Sequence, residues 1–203
     1  MSGPSQTHAR GGAERVLRII SGAWRGRRLR FPPSPAIRPT PDRVRETLFD
    51  WLAGAVVDAR CLDLFAGSGA LGLEALSRGA QHVTFVEHER TAARAIEACL
   101  AQWDRERRCN WRVVAADAHA FLAAAGHPFD IVFLDPPFGS GMLGPVTARL
   151  EDGGWLAPGA RIYVECPAAD VPPVPTAWAR ARSKRSGQVG YHLYLRHTGN
   201  AAE

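Results

Sequence analysis

From residue 60 onward, short apolar runs alternate with longer stretches in which apolar residues recur every three or four positions. The short runs predict buried strands, and the wider spacing predicts amphipathic helices. Strands that alternate with helices predict a parallel sheet covered on both faces, which is a doubly wound α/β fold. The predicted strands are 61–65, 83–87, 111–115, 130–135 and 161–165, and the predicted helices are 70–79, 90–103, 118–126 and 143–154.

Both ends of the chain show a different pattern, in which apolar residues alternate with basic ones. In residues 15–31 this alternation surrounds Gly22 and Gly26, which predicts a β-hairpin with a basic face. Residues 177–196 alternate around two further glycines and predict a closing antiparallel hairpin. The expected sheet is therefore flanked by one hairpin at each end of the chain.

Residues 32–41 are rich in proline and predict an extended, semi-rigid connector that leads into a helix. Thr40 is the predicted N-cap of that helix, with Pro41 at its first position. Residues 1–14 are polar and glycine-rich and are expected to be disordered. The predicted organisation is a tail (1–14), a unit of basic hairpin, connector and helix (15–54), and a main domain (55–198).

Charge is segregated along the 203 residues, whose net charge is +5. Residues 1–45 hold ten arginines against two acidic residues, residues 46–179 hold seventeen acidic against ten basic residues, and residues 180–203 hold five basic residues against one acidic residue. A solvated arginine-rich face would explain why 24 basic residues are arginine and one is lysine, but it would not explain the segregation. A polyanionic partner contacted by both ends is therefore favoured.

The composition argues against membrane, export and metal-binding classes. The N-terminus has no apolar signal segment and no apolar run reaches the length of a membrane span, so the expected location is the cytoplasm. The four cysteines are scattered, with no C-x-x-C pair and no metal-ligand spacing to the seven histidines. Reduced thiols and the absence of a bound metal are therefore expected.

A glycine-rich loop lies between the first predicted strand and the first predicted helix of the main domain. Gly67, Ser68, Gly69 and Gly72 satisfy the pattern G-x-G-x-x-G. Glu87 lies twenty residues beyond Gly67, at the end of the next strand, where its carboxylate can accept hydrogen bonds from ribose hydroxyls. A plain tight turn could also require these glycines, but the strand, the helix and the acid together favour a nucleotide-type site.

The loop by itself fits either NAD or S-adenosylmethionine. Asp63 precedes the loop and can hold an α-ammonium group, which S-adenosylmethionine has and NAD lacks. Asp117 follows a third strand and can accept from an adenine amino group beside the Ala118 N–H, although a helix N-cap explains Asp117 equally well. No later segment offers an obvious second domain with a base for hydride transfer. S-adenosylmethionine is therefore the favoured cofactor.

The stretch FLDPPFGS, residues 133–140, ends the fourth predicted strand. Its two consecutive prolines lack the N–H that strand pairing needs, so the chain is held in a stiff extended turn. The turn places the Asp135 carboxylate, the unpaired Pro136 carbonyl and the Phe138 ring side by side. Such a turn can end a strand in any α/β protein, but beside a cofactor-type loop it favours a substrate site.

These motifs resemble a known enzyme family. LDLFAGSGALGLEALSRGA (62–80) resembles the first motif of class I S-adenosylmethionine-dependent methyltransferases, and Glu87, Asp117 and DPPF follow in that family's order. RIISGAWRGRRL, RPTPDRVRETLFDWL and GQVGYHLYLR resemble the bacterial 16S rRNA guanine-N2 methyltransferases of the RsmD family, across most of residues 15–196. The resemblance implies a Rossmann-like methyltransferase domain, S-adenosylmethionine as cofactor, and 16S rRNA or a small ribosomal subunit particle as partner. A monomer is expected.

The resemblance also implies roles for individual residues. An exocyclic amine is a poor nucleophile because its lone pair is delocalised into the ring. Asp135 and the Pro136 carbonyl would accept its two N–H bonds, and Phe138 would stack on the base. The implied cofactor residues are Asp63, Phe65, Gly67, Ser68, Gly69, Glu87, Asp117 and Ala118, and the implied phosphate-binding residues are Arg25, Arg27, Arg28, Arg38, Arg43 and Arg45.

Three alternatives stay open at this point. A methyltransferase acting on adenine N6 or on a glutamine amide would keep the reaction, although those families more often carry Asn at the position of Asp135. A non-catalytic RNA-binding assembly factor would keep the fold without the chemistry. An NAD-dependent enzyme would keep only the glycine loop.

Overall fold

The structure is a computed structural model that describes residues 15–31, 40–106 and 108–197. The tail 1–14, Arg38 and most of the predicted connector lie outside the described residues. The strands are β1 (Arg15–Arg18), β2 (Arg28–Phe31), β3 (Arg60–Asp63), β4 (His82–Glu87), β5 (Asn110–Ala115), β6 (Phe129–Leu134), β7 (Leu156–Pro167), β8 (Trp178–Ser186) and β9 (Val189–Arg196). The helices are α1 (Asp42–Trp51), α2 (Ala70–Ser77), α3 (Arg90–Trp103), α4 (Ala118–Leu122) and α5 (Leu143–Asp152).

Seven strands form one sheet in the order β5-β4-β3-β6-β7-β9-β8. The first five in that order are parallel, and β9 and β8 add an antiparallel hairpin at one edge. The strand order reverses between β3 and β6, and open α/β sheets bind their ligands at such a reversal. The predicted doubly wound fold and both hairpins are confirmed, since β1 and β2 also pair antiparallel.

Successive residues of the central strands enter two separate cores. On β6, Ile131 and Phe133 belong to the first core, whereas Val132 and Leu134 belong to the second, and all four side chains are fully buried. The first core is covered by α1, α2, α3 and the N-terminal hairpin, and the second by α4 and α5. A strand that is buried on both faces has no solvent-facing positions, which explains the continuous apolar run of β6.

The N-terminal hairpin is fastened to α2 through buried polar groups. The fully buried Glu74 carboxylate of α2 accepts the backbone N–H groups of Ile20 at 2.8 Å and Ser21 at 3.0 Å. The Ser77 hydroxyl donates to the Ser21 carbonyl at 2.5 Å. Gly22 passes so close to α2 that a Cβ would lie 1.8 Å from the Ser77 carbonyl oxygen, and its φ of +81° also favours glycine. The hairpin therefore packs directly on the helix that follows the glycine loop.

Several local predictions differ from the structure. β7 begins at Leu156 instead of residue 161, and α4 ends at Leu122 instead of residue 126. β3 ends at Asp63 instead of residue 65, because the chain turns there into the glycine loop. The predicted N-cap is wrong: the cap position of α1 is Pro41, which has no side chain able to cap the helix, and the buried Thr40 hydroxyl contacts Asp135 instead. The predicted domain boundary near residue 54 stays a prediction. No helix among the described residues is long and apolar enough to cross a membrane.

Candidate active site

Four acidic residues mark the carboxyl ends of four neighbouring strands. Glu87 ends β4, Asp63 ends β3, Asp135 follows β6, and Glu165 lies near the end of β7. Because the four strands are parallel and adjacent in the sheet, these ends meet at one edge. The charges of Asp135 and Glu87 both raise the pKa of Asp63, so these three carboxyls lie close together.

The glycine loop crosses the end of β3 and leads into α2. Gly69 precedes the helix with a φ of +77°, and a Cβ at this position would lie 3.2 Å from a side chain of α3, so both backbone and packing favour glycine. The Gly67 N–H donates to Glu87 Oε2 at 2.7 Å, which ties the loop to the end of β4. Ser68 is buried, and Phe65 is half-buried against the second core.

Asp63 is a buried acid at the centre of this edge. Its side chain is 3 % exposed, and its Oδ2 accepts the Gly72 N–H at 2.9 Å. Burial raises the pKa of Asp63 to about 7, the hydrogen bond from Gly72 lowers it, and the charges of Asp135 and Glu87 raise it further. No cationic side chain is among the groups that act on Asp63 in the described part of the chain. A cationic ligand would therefore stabilise its charged form.

Asp117 occupies the N-cap of α4. Its Oδ1 accepts the backbone N–H groups of His119 at 2.8 Å and Ala120 at 3.3 Å. Of the two interpretations left open by the sequence, the N-cap is the one observed. The Asp117 side chain is exposed and follows β5, next to the buried Ala118, so contact of this pair with an adenine stays a prediction.

Asp135 leaves β6 and enters the turn formed by Pro136 and Pro137. The side chain is half-buried, and burial raises its pKa to about 7. The Thr40 hydroxyl donates a hydrogen bond to Oδ2 at 3.4 Å, which lowers the pKa of Asp135. No N–H of a described residue donates to the Pro136 carbonyl. Phe138 is 48 % exposed. The turn thus has the carboxyl, the carbonyl and the exposed ring that the sequence predicted.

Sequence reasoning missed Tyr163 and Glu165 on β7. The Tyr163 hydroxyl donates to Glu165 Oε1 at 2.8 Å, and both side chains are buried. Leu134 pairs with Val164, and the charge of Asp135 raises the pKa of Glu165, so these two carboxyls follow the last paired residues and lie near each other. The sequence does contain one indication of these residues, because both are polar and occupy alternate positions of an otherwise apolar strand. Their proximity to Asp135 depends on which strands pair, and the sequence pattern does not specify that pairing.

Four of the predicted phosphate-binding arginines are exposed. Arg25 and Arg28 lie in the N-terminal hairpin and Arg43 lies on α1. Arg27 is also exposed, but its guanidinium donates to the Trp103 carbonyl at 2.8 Å and lies over the Trp103 ring. The structure therefore keeps Arg25, Arg28 and Arg43 at the surface, whereas Arg27 has a second contact within the protein.

The prediction for Arg45 is wrong. Its side chain is 0 % exposed, and its guanidinium donates to the Arg18 carbonyl at 2.7 Å and to Asp42 Oδ1 at 2.6 Å. It also lies 3.7 Å from Glu74 Oε2. A guanidinium enclosed by these acceptors cannot reach an RNA phosphate. Arg45 instead links α1 to the N-terminal hairpin and to α2.

Comparison with known proteins identifies the family of this chain. A family model described as "Conserved hypothetical protein 95" matches residues 17–195. The chain is 53 % identical over 181 residues to ribosomal RNA small subunit methyltransferase D of Escherichia coli (strain K12), covering 89 % of this chain and 90 % of the relative. The chain belongs to the methyltransferase D family. The resemblance drawn from the motifs is thereby confirmed.

Solved structures agree with this family assignment. A putative methyltransferase from Escherichia coli shares 52 % identity with a TM-score of 0.82, covering 91 % of this chain and 99 % of that one. A putative methylase from Haemophilus influenzae shares 40 % identity with a TM-score of 0.75, covering 90 % and 99 %. Within the ranges that the structure describes, no group of His, Cys, Asp and Glu side chains of this methyltransferase D family member could hold a metal ion.

Proposed function

We propose that this protein transfers a methyl group from S-adenosylmethionine to the N2 amine of a guanine in 16S rRNA, as a cytoplasmic monomer without a metal ion. The observation that carries the proposal is the position of Asp135. It stands in a proline-fixed turn at the strand-order reversal, beside a buried acid on which no cation of the described residues acts. Family membership supports the same reaction, because the methyltransferase D relatives are named for the small-subunit ribosomal RNA.

The residues of the glycine-loop edge fit this cofactor. Buried Asp63 would hold the α-ammonium group, which supplies a positive charge that none of the described residues brings to this carboxyl. Glu87 would accept from the ribose hydroxyls, and its existing bond to Gly67 sets its orientation. Phe65, Ser68 and Gly69 would line the loop side of the pocket, and Asp117 with Ala118 would contact the adenine. When bound, the cofactor supplies a methyl group on a positively charged sulfur.

The turn after β6 fits an amine acceptor. The Asp135 carboxylate and the Pro136 carbonyl would accept the two N–H bonds of the amine, which directs its lone pair toward the methyl group. Phe138 would stack on the base. Positioning of this kind is worth up to ~7–11 kcal/mol of the barrier in well-oriented reactions. Asp135 would also stabilise the positive charge that develops on nitrogen and then accept the released proton.

The basic surfaces fit a structured RNA. A guanine inside a helix cannot reach the turn, so the target must be unstacked or in a loop, and the phosphates around it need cations. Exposed Arg43, three residues after Thr40, would supply a cation beside the turn. The turn of the N-terminal hairpin contacts the last residues of α2 and α3, so Arg25, Arg27 and Arg28 would contact phosphates farther along the RNA. The other basic segment is β8, and the tip of its hairpin lies at the level of Cys166 and Pro167, at the carboxyl end of β7. Its exposed basic residues are Arg180, Arg182, Lys184 and Arg185.

The test is methylation of 16S rRNA, naked and within small-subunit particles, purified from a strain that lacks the gene. Mass-spectrometric mapping should find N2-methylguanine after incubation with the wild-type protein and S-adenosylmethionine. Asp135→Ala should abolish the modification while cofactor affinity by calorimetry stays within a few-fold. Asp50→Ala, which removes an exposed carboxylate from α1, is the matched control and should retain the wild-type rate.

Two results would contradict the proposal. If Asp135→Ala keeps more than about a tenth of the wild-type rate, the side chain supplies less than about 1.4 kcal/mol of the barrier and is not the acceptor group. If the protein binds S-adenosylmethionine and 16S rRNA but methylates neither naked 16S rRNA nor small-subunit particles, it acts as a binding factor and not as an enzyme.

A further inference from the structure

The C-terminal hairpin carries its basic residues on both of its faces. Its outer strand β8 pairs with β9, and β9 pairs with β7 inside the sheet. Side chains of directly paired residues lie on the same face of a sheet. The face on which each basic residue of β8 lies therefore follows from the burial of its partner on β9.

Two of these cations lie on the face that α1 covers. Arg182 pairs with Leu193, which is buried in the first core. Lys184 pairs with Tyr191, which is also buried in the first core and stacks on Trp51 of α1 with 5.4 Å between the ring centroids. Both cations are themselves exposed, so they border the first core at the edge of the sheet.

The other two cations lie on the opposite face. Arg180 pairs with Tyr194, which is buried in the second core. The pairing shifts between Arg180 and Arg182, and this β-bulge turns two residues at alternate positions toward different faces. Arg185 follows Lys184 directly, so it also points away from α1. The basic residues of β8 thus form two matched pairs, one on each face.

The turn after β6 lies on the α1 face as well. Asp135 Oδ2 lies 3.4 Å from the hydroxyl of Thr40, which stands shortly before α1. Glu165 lies near Asp135 and pairs with Tyr191, which in turn pairs with Lys184. These residues mark one level across the four neighbouring strands β6, β7, β9 and β8. Three strand spacings therefore separate Asp135 from Lys184, which is roughly 14 Å between their backbones.

We propose that Lys184, with Arg182 beside it, holds a backbone phosphate of the RNA strand next to the target guanine, and that Arg180 and Arg185 have no part in this contact. The proposal rests on the proposed transfer of methyl to an RNA guanine. Among the described residues, none forms a hydrogen bond or salt bridge with Lys184, so its ammonium group is available to a ligand. Lys184 is a positioning residue, because a phosphate contact fixes the strand without touching the reacting atoms.

RNA is the occupant that this position favours. A strand whose guanine enters the site at Asp135 carries one phosphate per nucleotide, so phosphates necessarily pass close to the turn. The same geometry does not bring an acidic protein segment to the hairpin. A lysine ammonium group binds phosphate as a point charge and does not require the planar, two-bonded geometry of an arginine contact. Lys184 can therefore follow a strand that approaches from several directions.

Lys184 is the sole lysine of the 203 residues, which allows a test without any substitution. The protein is acylated with an amine-selective reagent, alone and saturated with 16S rRNA from a strain that lacks the gene, and its peptides are analysed by mass spectrometry. The RNA should slow acylation of Lys184 several-fold, with a small lysine peptide in both samples as the reference for reagent activity. Because no methyl transfer is measured, this result does not depend on the reaction.

Two outcomes of the acylation experiment would overturn the proposal. If saturating RNA leaves the acylation rate of Lys184 unchanged, the side chain does not contact the RNA. If small-subunit particles protect Lys184 but naked 16S rRNA bound to saturation does not, the partner is a ribosomal protein and not a phosphate.

Two double variants compare the faces of the hairpin by kinetics. Arg182→Gln with Lys184→Gln should raise KM for the 16S substrate several-fold with little change in kcat, and should leave affinity for S-adenosylmethionine unchanged. Arg180→Gln with Arg185→Gln removes the same charge from the other face and should keep KM near that of the parent. This control also loses the bond from Arg185 to the Gly187 carbonyl, so it disturbs the hairpin at least as much as the test variant does.

Lys184→Arg completes the series, because it keeps the cation and should keep KM near that of the parent. If both double variants raise KM equally, total charge and not the face is responsible, and the proposal is wrong. A fall in kcat with unchanged KM in the test variant would also overturn it. If the wild-type protein methylates no RNA at all, the proposed reaction fails, whereas the acylation experiment still decides whether Lys184 contacts RNA.

Discussion

The backbone N–H of Gly67 donates to Glu87 Oε2 across 2.7 Å. This bond joins the glycine loop to the end of the neighbouring strand, and the other oxygen of the same carboxylate accepts the Glu89 N–H at 2.8 Å. Glu87 therefore fixes the shape of the loop in addition to its proposed contact with the ribose.

Glu87→Ala should weaken S-adenosylmethionine binding, because it removes both the ribose acceptor and the partner of Gly67. Calorimetry should show a loss of about tenfold or more, which corresponds to about 1.4 kcal/mol, whereas RNA affinity should not change. Glu87→Gln is the control, since its amide oxygen can still accept from Gly67, and its loss should be smaller. Unchanged cofactor affinity in Glu87→Ala would place the ribose contact on another residue.

Asp63 should make cofactor binding depend on pH. Its pKa is about 7 without ligand, so below that pH the carboxyl must release a proton before it can pair with an ammonium group. Affinity for S-adenosylmethionine should therefore rise by about tenfold per pH unit up to roughly pH 7 and then level off. Titrations in buffers of different ionisation enthalpy should detect the released proton. Asp63→Asn is the control and should bind S-adenosylmethionine weakly, with an affinity that does not depend on pH in this range. If the affinity of the wild-type protein does not change with pH, Asp63 does not bind the ammonium group.

Arg25, Arg27 and Arg28 should contribute to RNA binding through phosphate contacts. Replacing all three with Gln should weaken binding and make the slope of log affinity against log salt shallower, by up to ~0.7–0.9 per lost contact. Replacement of Arg25 and Arg28 should change the melting temperature little, because exposed charges contribute little to folding. Replacement of Arg27 should lower it modestly, because its contacts with Trp103 are lost. A matched triple replacement in the acidic middle of the chain should leave the slope nearer to that of the parent. Its members are Arg94, Arg105 and Arg112.

If the hairpin triple variant binds RNA with the parent's affinity and salt dependence, the hairpin does not dock RNA. A solvated basic face would then be a sufficient account of residues 15–31.

Arg45 should behave in the opposite way to the exposed arginines. Arg45→Ala removes the guanidinium that lies 3.7 Å from the buried Glu74 carboxylate and leaves that carboxylate with Arg78 as its cationic partner. Breaking a buried ion pair costs up to about 3–5 kcal/mol of the free energy of unfolding, and the bond from Arg78 should place the loss toward the lower end of that range. The salt dependence of RNA binding by the folded protein should not change. Arg43→Ala, two residues earlier on the exposed side of α1, should affect stability little. If Arg45→Ala changes the slope of log RNA affinity against log salt without a loss of stability, Arg45 binds RNA and does not have a structural role.

The sequence predicted those parts of the molecule that depend on local pattern. The five parallel strands and the two hairpins follow from hydrophobic spacing, and the glycine loop follows from its motif. The cofactor and acceptor residues lie at strand ends, so the rule that parallel strands meet at one edge was sufficient to bring Asp63, Glu87 and Asp135 together.

The errors concern side chains whose environment depends on tertiary contacts. Arg45 resembles its exposed neighbour Arg43 in the sequence, but the hairpin covers one of them and not the other. Thr40 has the sequence context of an N-cap, yet its hydroxyl contacts a carboxyl that lies 95 positions away in the chain. Glu165 was missed because its importance depends on the pairing of β6 with β7. Local periodicity contains no information about such distant partners.

The attachment of the N-terminal hairpin to α2 has a consequence for protein engineering. Glu74 accepts two backbone N–H groups from the hairpin while standing on the helix that follows the glycine loop. A deletion of the hairpin, intended to separate RNA recognition from cofactor binding, would remove both backbone donors of a buried carboxylate and leave it with the bond from Arg78. A chimera that exchanges RNA preference between two relatives should therefore transfer residues 15–31 and α2 as a single cassette.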